Sequence, residues 1–83
     1  MPENIQLTLG KMEAGQTGTI VQILGGWGLN RRLEALGIRP GKKVTKISNM
    51  LFHGPVTLRT DHTQVAVGFG MANKILVEID IPA

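Results

Sequence analysis

Glycine and proline divide this chain into short segments, and this punctuation restricts the folds open to it. Its 83 residues include 11 glycines and four prolines. Between them, apolar and polar residues alternate with a period of two, which is typical of strands that bury one face. The pattern predicts six short strands, at residues 5–9, 18–24, 43–48, 56–59, 64–67 and 75–79.

Two of these predicted strands depart from strict alternation by one residue. Ile20 and Ile23 are three positions apart in the first, and Val44 and Ile47 are three apart in the second. One extra residue in a strand is the signature of a β-bulge, which bends the strand locally. We therefore expect segments 18–24 and 43–48 to be bent or bulged.

One segment has a helical period instead. Leu29, Leu33 and Leu36 are spaced i, i+4 and i+7, which predicts an amphipathic helix of about two to three turns with these leucines on its buried side. Gly37 supplies a stop, and residues 38–41 suit a turn in which glycine takes a positive φ.

The remaining connections are short, so the whole chain is predicted to form one domain, residues 1–83. Residues 61–63 resemble a hairpin loop, and residues 70–74 suit one further turn of helix. Five or six short strands with one helix, no linker and no internal repeat indicate an all-β fold, namely a small closed β-barrel.

Size and composition argue against an enzyme. A domain of this length has a thin core and little room for an enclosed pocket. The absence of cysteine excludes disulfides, thiolate metal sites and thiol catalysis. No serine, histidine and carboxylate are placed for nucleophilic catalysis, and no pair of acidic residues resembles an acid and base couple. We expect no catalytic residues and no tightly bound cofactor.

The positive charge of the chain is concentrated in one region. The net charge is +3 and the pI is about 9.8, which favours acidic or phosphate-bearing partners. Six of the nine cations lie in a 16-residue window: Arg31, Arg32, Arg39, Lys42, Lys43 and Lys46. We expect one positive face. No signal peptide or membrane-spanning segment is predicted, so a cytoplasmic location is expected.

Four motifs resemble the FeoA family. They are L-G-K-M-E-A-G-Q-T-G-T-I-V-Q-I from Leu9, R-R-L-E-A-L-G-I-R-P-G from Arg31, H-G-P-V from His53 and A-N-K-I-L-V from Ala72. The resemblance covers nearly the whole chain, and its most specific part is R-L-x-x-L-G-I-x-P-G at residues 32–41.

This resemblance implies an SH3-like barrel and a role in ferrous-iron transport. FeoA proteins are small cytoplasmic accessory proteins that assist FeoB, a membrane GTPase permease, which handles the Fe²⁺ itself. The expected location is therefore peripheral to the inner membrane. The same domain type lies at the C-terminus of iron-dependent repressors. Because the chain starts with Met and carries nothing further, the stand-alone transport version is favoured.

Metal binding by the chain itself is not expected, although two weak candidate ligands exist. His53 and His62 occupy separate predicted loops, and a metal site needs three or four ligands that converge on one point. The sequence therefore favours two solvent-exposed histidines over a metal site.

Apolar residues in predicted loops are the other unusual feature. Trp27 lies among three glycines, and residues 50–52 read Met-Leu-Phe where a turn would be polar. Such residues either cover the end of a barrel or anchor a partner. We favour a lid for Trp27 and partner contact for residues 50–52. The candidate partner-binding residues are Trp27, Arg31, Arg32, Lys42, Lys43, Lys46, Met50, Leu51 and Phe52.

Three functional classes remain open for the chain. A non-catalytic module that docks on FeoB is preferred, with no small-molecule substrate. A basic nucleic-acid-binding barrel is the alternative that the pI suggests, although one Trp, two Phe and no Tyr leave few rings for base stacking. The regulatory domain of an iron-dependent repressor is a variant of the binding module, and an enzyme is the least supported class.

Overall fold

The computed structural model describes residues 5–48, 54–61 and 63–79, and its main feature is one antiparallel sheet. The strands are β1 (Ile5–Thr8), β2 (Thr17–Ile23), β3 (Lys43–Ser48), β4 (Val56–Thr60), β5 (Thr63–Val67) and β6 (Ile75–Ile79). The helical elements are a 3₁₀ turn, η1 (Leu9–Lys11), and the helices α1 (Trp27–Ala35) and α2 (Phe69–Ala72). The predicted mainly-β fold, its helix and the helical turn before the last strand are confirmed.

The strand order explains how the sheet is built. It is β1-β6-β2-β3-β4-β5, with every neighbouring pair antiparallel. The expected closure into a barrel is wrong, because within the described ranges β1 and β5 do not pair and the sheet stays open. Residues from helical elements, namely Leu9, Leu33 and Ala72, are fully buried in the core. These residues cover the core where pairing of β1 with β5 would have closed a barrel.

The core lies on one face of the sheet, as the alternating pattern predicts. In β6, Ile75, Val77 and Ile79 are buried, and in β4, Val56 and Leu58 are buried. Each of these side chains is two positions from the next, as the pleat of a strand requires. Among the described residues, the buried apolar cluster is Leu9, Met12, Ile20, Leu33, Ile38, Val44, Val56, Leu58, Val67, Ala72, Ile75, Val77 and Ile79.

Both predicted bulges are confirmed. The pairing of β2 with β6 shifts register between Ile20 and Gln22. The pairing of β3 with β4 shifts between Lys46 and Ser48. The extra residue in β3 is Ile47, which is exposed. A bulge bends its strand and raises the local twist, so both long strands curve around the core.

The end of α1 corrects one detail of the predicted buried stripe. Gly37 has φ +85°, and the N–H groups of Ile38 and Gly37 donate to the carbonyls of Leu33 and Glu34 at 2.9 Å each. These two bonds form a Schellman motif, which reverses the chain direction. Leu36 is therefore 44% exposed, while Ile38 takes the buried place beside Leu33.

The next turn brings the basic segment to the sheet as predicted. The Lys42 N–H donates to the Arg39 carbonyl at 3.1 Å, and Gly41, with φ +93°, occupies the position of a type II turn that favours glycine. Two further backbone bonds, from Gly41 to the Ile20 carbonyl and from Ile20 to the Lys42 carbonyl, fix this turn to β2. No helix in the described ranges is both long enough and apolar enough to span a membrane.

Candidate partner interface

Trp27 stands out on the surface because it is the first residue of α1 and its side chain is exposed. The residue is 74% exposed, so the expected lid over a barrel end is wrong. Leu9, Leu33 and Ala72 cover the core in its place. The ring therefore extends from the helix into solvent. A tryptophan side chain this exposed is unusual on a helix that faces solvent, and it suits contact with a partner.

Arg31 packs against the Trp27 ring. The Arg31 guanidinium carbon lies 4.8 Å from the ring centroid, within the range of a cation–π interaction. The two residues are four positions apart on α1, so the helix places them one above the other. The sequence provides this i, i+4 spacing, and the pair could have been predicted from it.

Together with the nearby exposed cations, this pair gives what we call the aromatic-basic surface, defined as Trp27, Arg31, Arg32 and Arg39. All four residues are exposed. Glu34 borders one shallow groove together with Arg31 and another together with Arg39, which connects the helix to the following turn. The surface therefore combines one large ring with three guanidinium groups, a composition typical of binding hot spots.

Lys42 and Lys43 differ in their surroundings. The Lys42 ammonium forms a salt bridge with the Asp61 carboxylate at the tip of the β4–β5 hairpin. Lys43 is exposed at the start of β3. No sequence pattern indicates the Lys42 partner, because the pairing depends on how a hairpin 19 residues further along the chain folds back.

Lys46 does not belong to the exposed positive face, contrary to the sequence-based expectation. It is 2% exposed, and its ammonium donates to the backbone carbonyls of Met12 and Gly10. Burial lowers the pKa of Lys46, since the charged form loses its hydration. Strict alternation in β3 places Lys46 on the same buried face as Val44. The expectation that Lys46 is exposed came instead from its place in a run of cations.

Two apolar side chains to which the sequence patterns assign other places are also exposed. Leu24 lies just before α1 and Leu36 just after it, and they are 47% and 44% exposed. The patterns place Leu24 at the end of a strand and Leu36 on the buried stripe of the helix. Their exposure adds apolar surface at both ends of the helix that carries the aromatic-basic surface.

The remaining predicted site residues lie outside the described residues. These are Met50, Leu51, Phe52, His53 and His62. Their proposed roles in partner contact and metal binding therefore stay predictions. Within the described ranges, no group of three or more His, Asp or Glu side chains is arranged to hold a metal ion.

The open six-stranded sheet with its helical caps is an SH3-like small β fold, and its exposed features form a surface rather than an enclosed site. The chain belongs to the FeoA family, because the model of the FeoA domain matches residues 7–79. A relative from Methanocaldococcus jannaschii, named putative Fe(2+) transport protein A, is 38% identical over 64 residues. That match covers 77% of this chain and 76% of the relative.

Solved structures resemble the fold over most of the chain. The crystal structure of an iron uptake regulatory protein, FeoA, has a TM-score of 0.85 and 27% identity, covering 90% of this chain and 99% of that one. A FeoA-like protein from Clostridium acetobutylicum has a TM-score of 0.80 and 19% identity, covering 100% and 94%. A manganese-dependent transcriptional repressor has a TM-score of 0.83 and 22% identity, covering 98% of this chain and 45% of the repressor.

Proposed function

We propose that this FeoA-family domain is a non-catalytic accessory module of ferrous-iron transport, which docks on the FeoB membrane GTPase permease. In this proposal the partner handles Fe²⁺, and the domain binds no small-molecule substrate and no tight cofactor. Its place is the cytoplasmic side of the inner membrane, where it is held through its partner. Support comes from the family match over residues 7–79 and from the relative named for Fe(2+) transport.

The observation that carries the docking proposal is the exposed Trp27 ring stacked by Arg31. Tryptophan and arginine contribute a disproportionate share of binding energy in protein interfaces. The ring is presented on a helix whose Leu33 is fully buried, so little additional ordering is needed when a partner binds. Preorganisation of this kind raises affinity by reducing the entropy lost on association.

The charge of the surface adds long-range attraction. Arg31, Arg32 and Arg39 belong to a stretch, residues 31–46, in which Glu34 is the single acidic residue. A cationic surface raises the rate of encounter with an acidic one, and this effect weakens as ionic strength rises. The proposed docking site on the GTPase is therefore acidic.

Binding kinetics against the immobilised soluble GTPase part of FeoB test the proposal. Trp27→Ala should hasten dissociation at least tenfold, because it removes the anchoring ring. Replacing Arg31 and Arg32 by Glu should slow association at low salt. The matched control replaces the exposed Lys11 and Lys74 by Glu, which changes the net charge equally at other positions. Normal binding by both surface variants would contradict docking through this surface.

Two further variants extend the same experiment. Phe52→Ala should hasten dissociation if residues 50–52 form a second apolar contact. Replacing Lys42 and Lys43 by Glu should slow association at low salt while dissociation changes little. The rate of GTP hydrolysis, measured with and without saturating domain, then gives the sign of its effect on the partner.

A second candidate function is a regulatory domain of the kind found in metal-dependent repressors. The fold similarity to a manganese-dependent transcriptional repressor, with a TM-score of 0.83, favours it at the level of fold. A pull-down from cell extract separates the two: retention of a large membrane GTPase supports transport, and retention of a DNA-binding repressor supports regulation. Direct binding to RNA or DNA with a steep salt dependence would support the nucleic-acid alternative.

A further inference from the structure

The outer edge of β5 carries backbone groups that can accept another strand. β5 pairs with β4 from Thr60↔Thr63 to Val56↔Val67 without a register shift. Thr60 and Thr63 close a two-residue hairpin, so they form a hydrogen-bonded pair and the pattern alternates from there. The N–H and C=O groups of Gln64 and Ala66 therefore point away from β4, at an edge where the described residues supply no further strand.

This edge has none of the usual protection against strand addition. Natural edge strands discourage pairing with charged side chains, proline or bulges. β5 reads Thr-Gln-Val-Ala-Val, which contains no charge and no proline, and its register is regular. The edge is therefore suited to β-augmentation, in which an extended peptide adds a strand to a sheet.

A groove lies beside this edge and can take the side chains of an added strand. It has a volume of about 660 Å³ and lies between β5 and the C-terminal end of α1, with Ala35, Leu36, Thr63 and Val65 among its lining residues. Leu36 is exposed and Val65 is half-buried against the core. Thr60, Asp61 and Gln64 also line the groove, so its apolar part is the area around Ala35, Leu36 and Val65. Since side chains alternate along a strand, every second side chain of an added strand would face this apolar part.

The opposite face of the same edge is positive. Arg59 lies directly across from Gln64 and is exposed, and it forms no salt bridge within the described ranges. None of β3, β4 and β5 contains an acidic residue. Strands are about 4.8 Å apart, so the long Arg59 side chain can extend over β5 toward a carboxylate on an added strand.

We propose that the β5 edge binds an extended segment of a partner protein in which apolar side chains alternate with Asp or Glu. The apolar side chains enter the groove beside Leu36 and Val65, and the carboxylates lie on the face of Arg59. A second copy of this chain fits less well, because its own β5 would bring no carboxylate to either Arg59. The inference goes beyond docking on FeoB, since it needs no assumption about which protein carries the segment.

Synthetic peptides test this proposal on the isolated protein. The probe is a seven-residue peptide in which three valines alternate with four glutamates. One control contains the same residues in blocks, and a second replaces the glutamates by lysines. In amide NMR titrations, we expect the alternating acidic peptide to shift the signals of Gln64, Ala66 and Leu36. We expect it to bind at least tenfold more tightly than either control.

Three variants separate backbone pairing from general attraction. Ala66→Pro removes the outward N–H without removing a β4 hydrogen bond, whereas Ala66→Val keeps that N–H. Proline should reduce peptide affinity at least tenfold, and valine should leave it nearly unchanged. Arg59→Glu, which does not depend on proline being accommodated, should reverse the preference toward the lysine peptide.

Several outcomes would overturn the proposal. These are equal binding of the acidic and lysine peptides, full affinity in a folded Ala66→Pro variant, or no chemical shift change at millimolar peptide. Self-association of the protein that Ala66→Pro abolishes would assign the edge to a second copy. Loss of peptide binding would leave docking through the aromatic-basic surface untouched, because that surface is tested separately with FeoB.

Discussion

The buried Lys46 forms hydrogen bonds that hold the connection between β1 and β2, residues 9–16, against β3. Its ammonium donates to the carbonyls of Gly10 and Met12. Its backbone also contributes, since its carbonyl accepts from the Gly15 N–H at 2.7 Å and its N–H donates to the Gln16 carbonyl at 3.0 Å. One residue of β3 therefore holds four residues of a distant segment.

Removing this ammonium should destabilise the fold. Lys46→Met keeps most of the apolar stem but leaves two backbone carbonyls without their donor, and the free energy of unfolding should fall by about 1 to 3 kcal/mol. Urea denaturation followed by circular dichroism measures the change. Lys74→Met, at an exposed position, is the control and should stay within about 0.5 kcal/mol of the wild type. Equal stability of both variants would show that the Lys46 bonds contribute nothing.

Lys46 also gives stability a defined pH dependence. Burial lowers its pKa below the ordinary value of 10.5, so the unfolded chain binds more protons than the folded one between these two values. Stability from this group therefore rises with pH across that window. The difference in unfolding free energy between wild type and Lys46→Met should shift in favour of wild type as pH increases toward 10.5. A shift in the opposite direction would mean that the fold favours the charged form.

At the scale of the element, two leucines of the predicted buried stripe of α1 differ in burial. Leu33 is fully buried and Leu36 is 44% exposed. Leu33→Ala should lower the free energy of unfolding by about 2 to 5 kcal/mol, because it leaves a cavity in a small core. Leu36→Ala should change it by less than about 0.5 kcal/mol. Thermal unfolding of the two variants provides the comparison, and equal losses would contradict the observed packing of α1.

The sequence patterns predicted the elements well because bulges, helix ends and turns depend on residues that are neighbours in sequence. The one-residue breaks in alternation predicted both bulges, and Gly37 and Gly41 marked a helix end and a turn that need positive φ. The predicted burial of Leu36 was wrong. The helical spacing of leucines in the sequence includes Leu36, but the helix ends at Ala35 and the Schellman motif turns the chain there. The Lys42–Asp61 pair depends on tertiary packing, so no local pattern reports it.

The site was harder to predict than the fold, and the reason lies in burial. Six cations in one window suggested a single positive face, whereas the alternation of β3 buries Lys46 and the hairpin neutralises Lys42. The exposure of Trp27 depends on what else covers the core, and residues distant in sequence decide that. The predicted surface role of Arg31 and Arg32 stays open to the kinetic test.

At the scale of the whole molecule, metal binding is a direct test of the accessory role. We expect anaerobic calorimetric titration with Fe²⁺ to show no stoichiometric binding at micromolar strength, because the two histidines are separated in sequence and the chain has no cysteine. His53→Ala and His62→Ala should behave like the wild type. A tight isotherm that either substitution abolishes would move the protein from an accessory role toward metal delivery.

The position of β6 has a consequence for how the chain is made. Among the described strands, β6 is the last in sequence but lies between β1 and β2, the first two, and pairs with both. While the ribosome is still synthesising the chain, β1 and β2 emerge without the strand that joins them. β1 can join the four strands β2–β5 only after β6, Ile75–Ile79, leaves the exit tunnel. Before β6 is available, strand pairing among the described elements is limited to β2 with the β3–β4–β5 meander, so β1 and the outer edge of β2 have no partner strand.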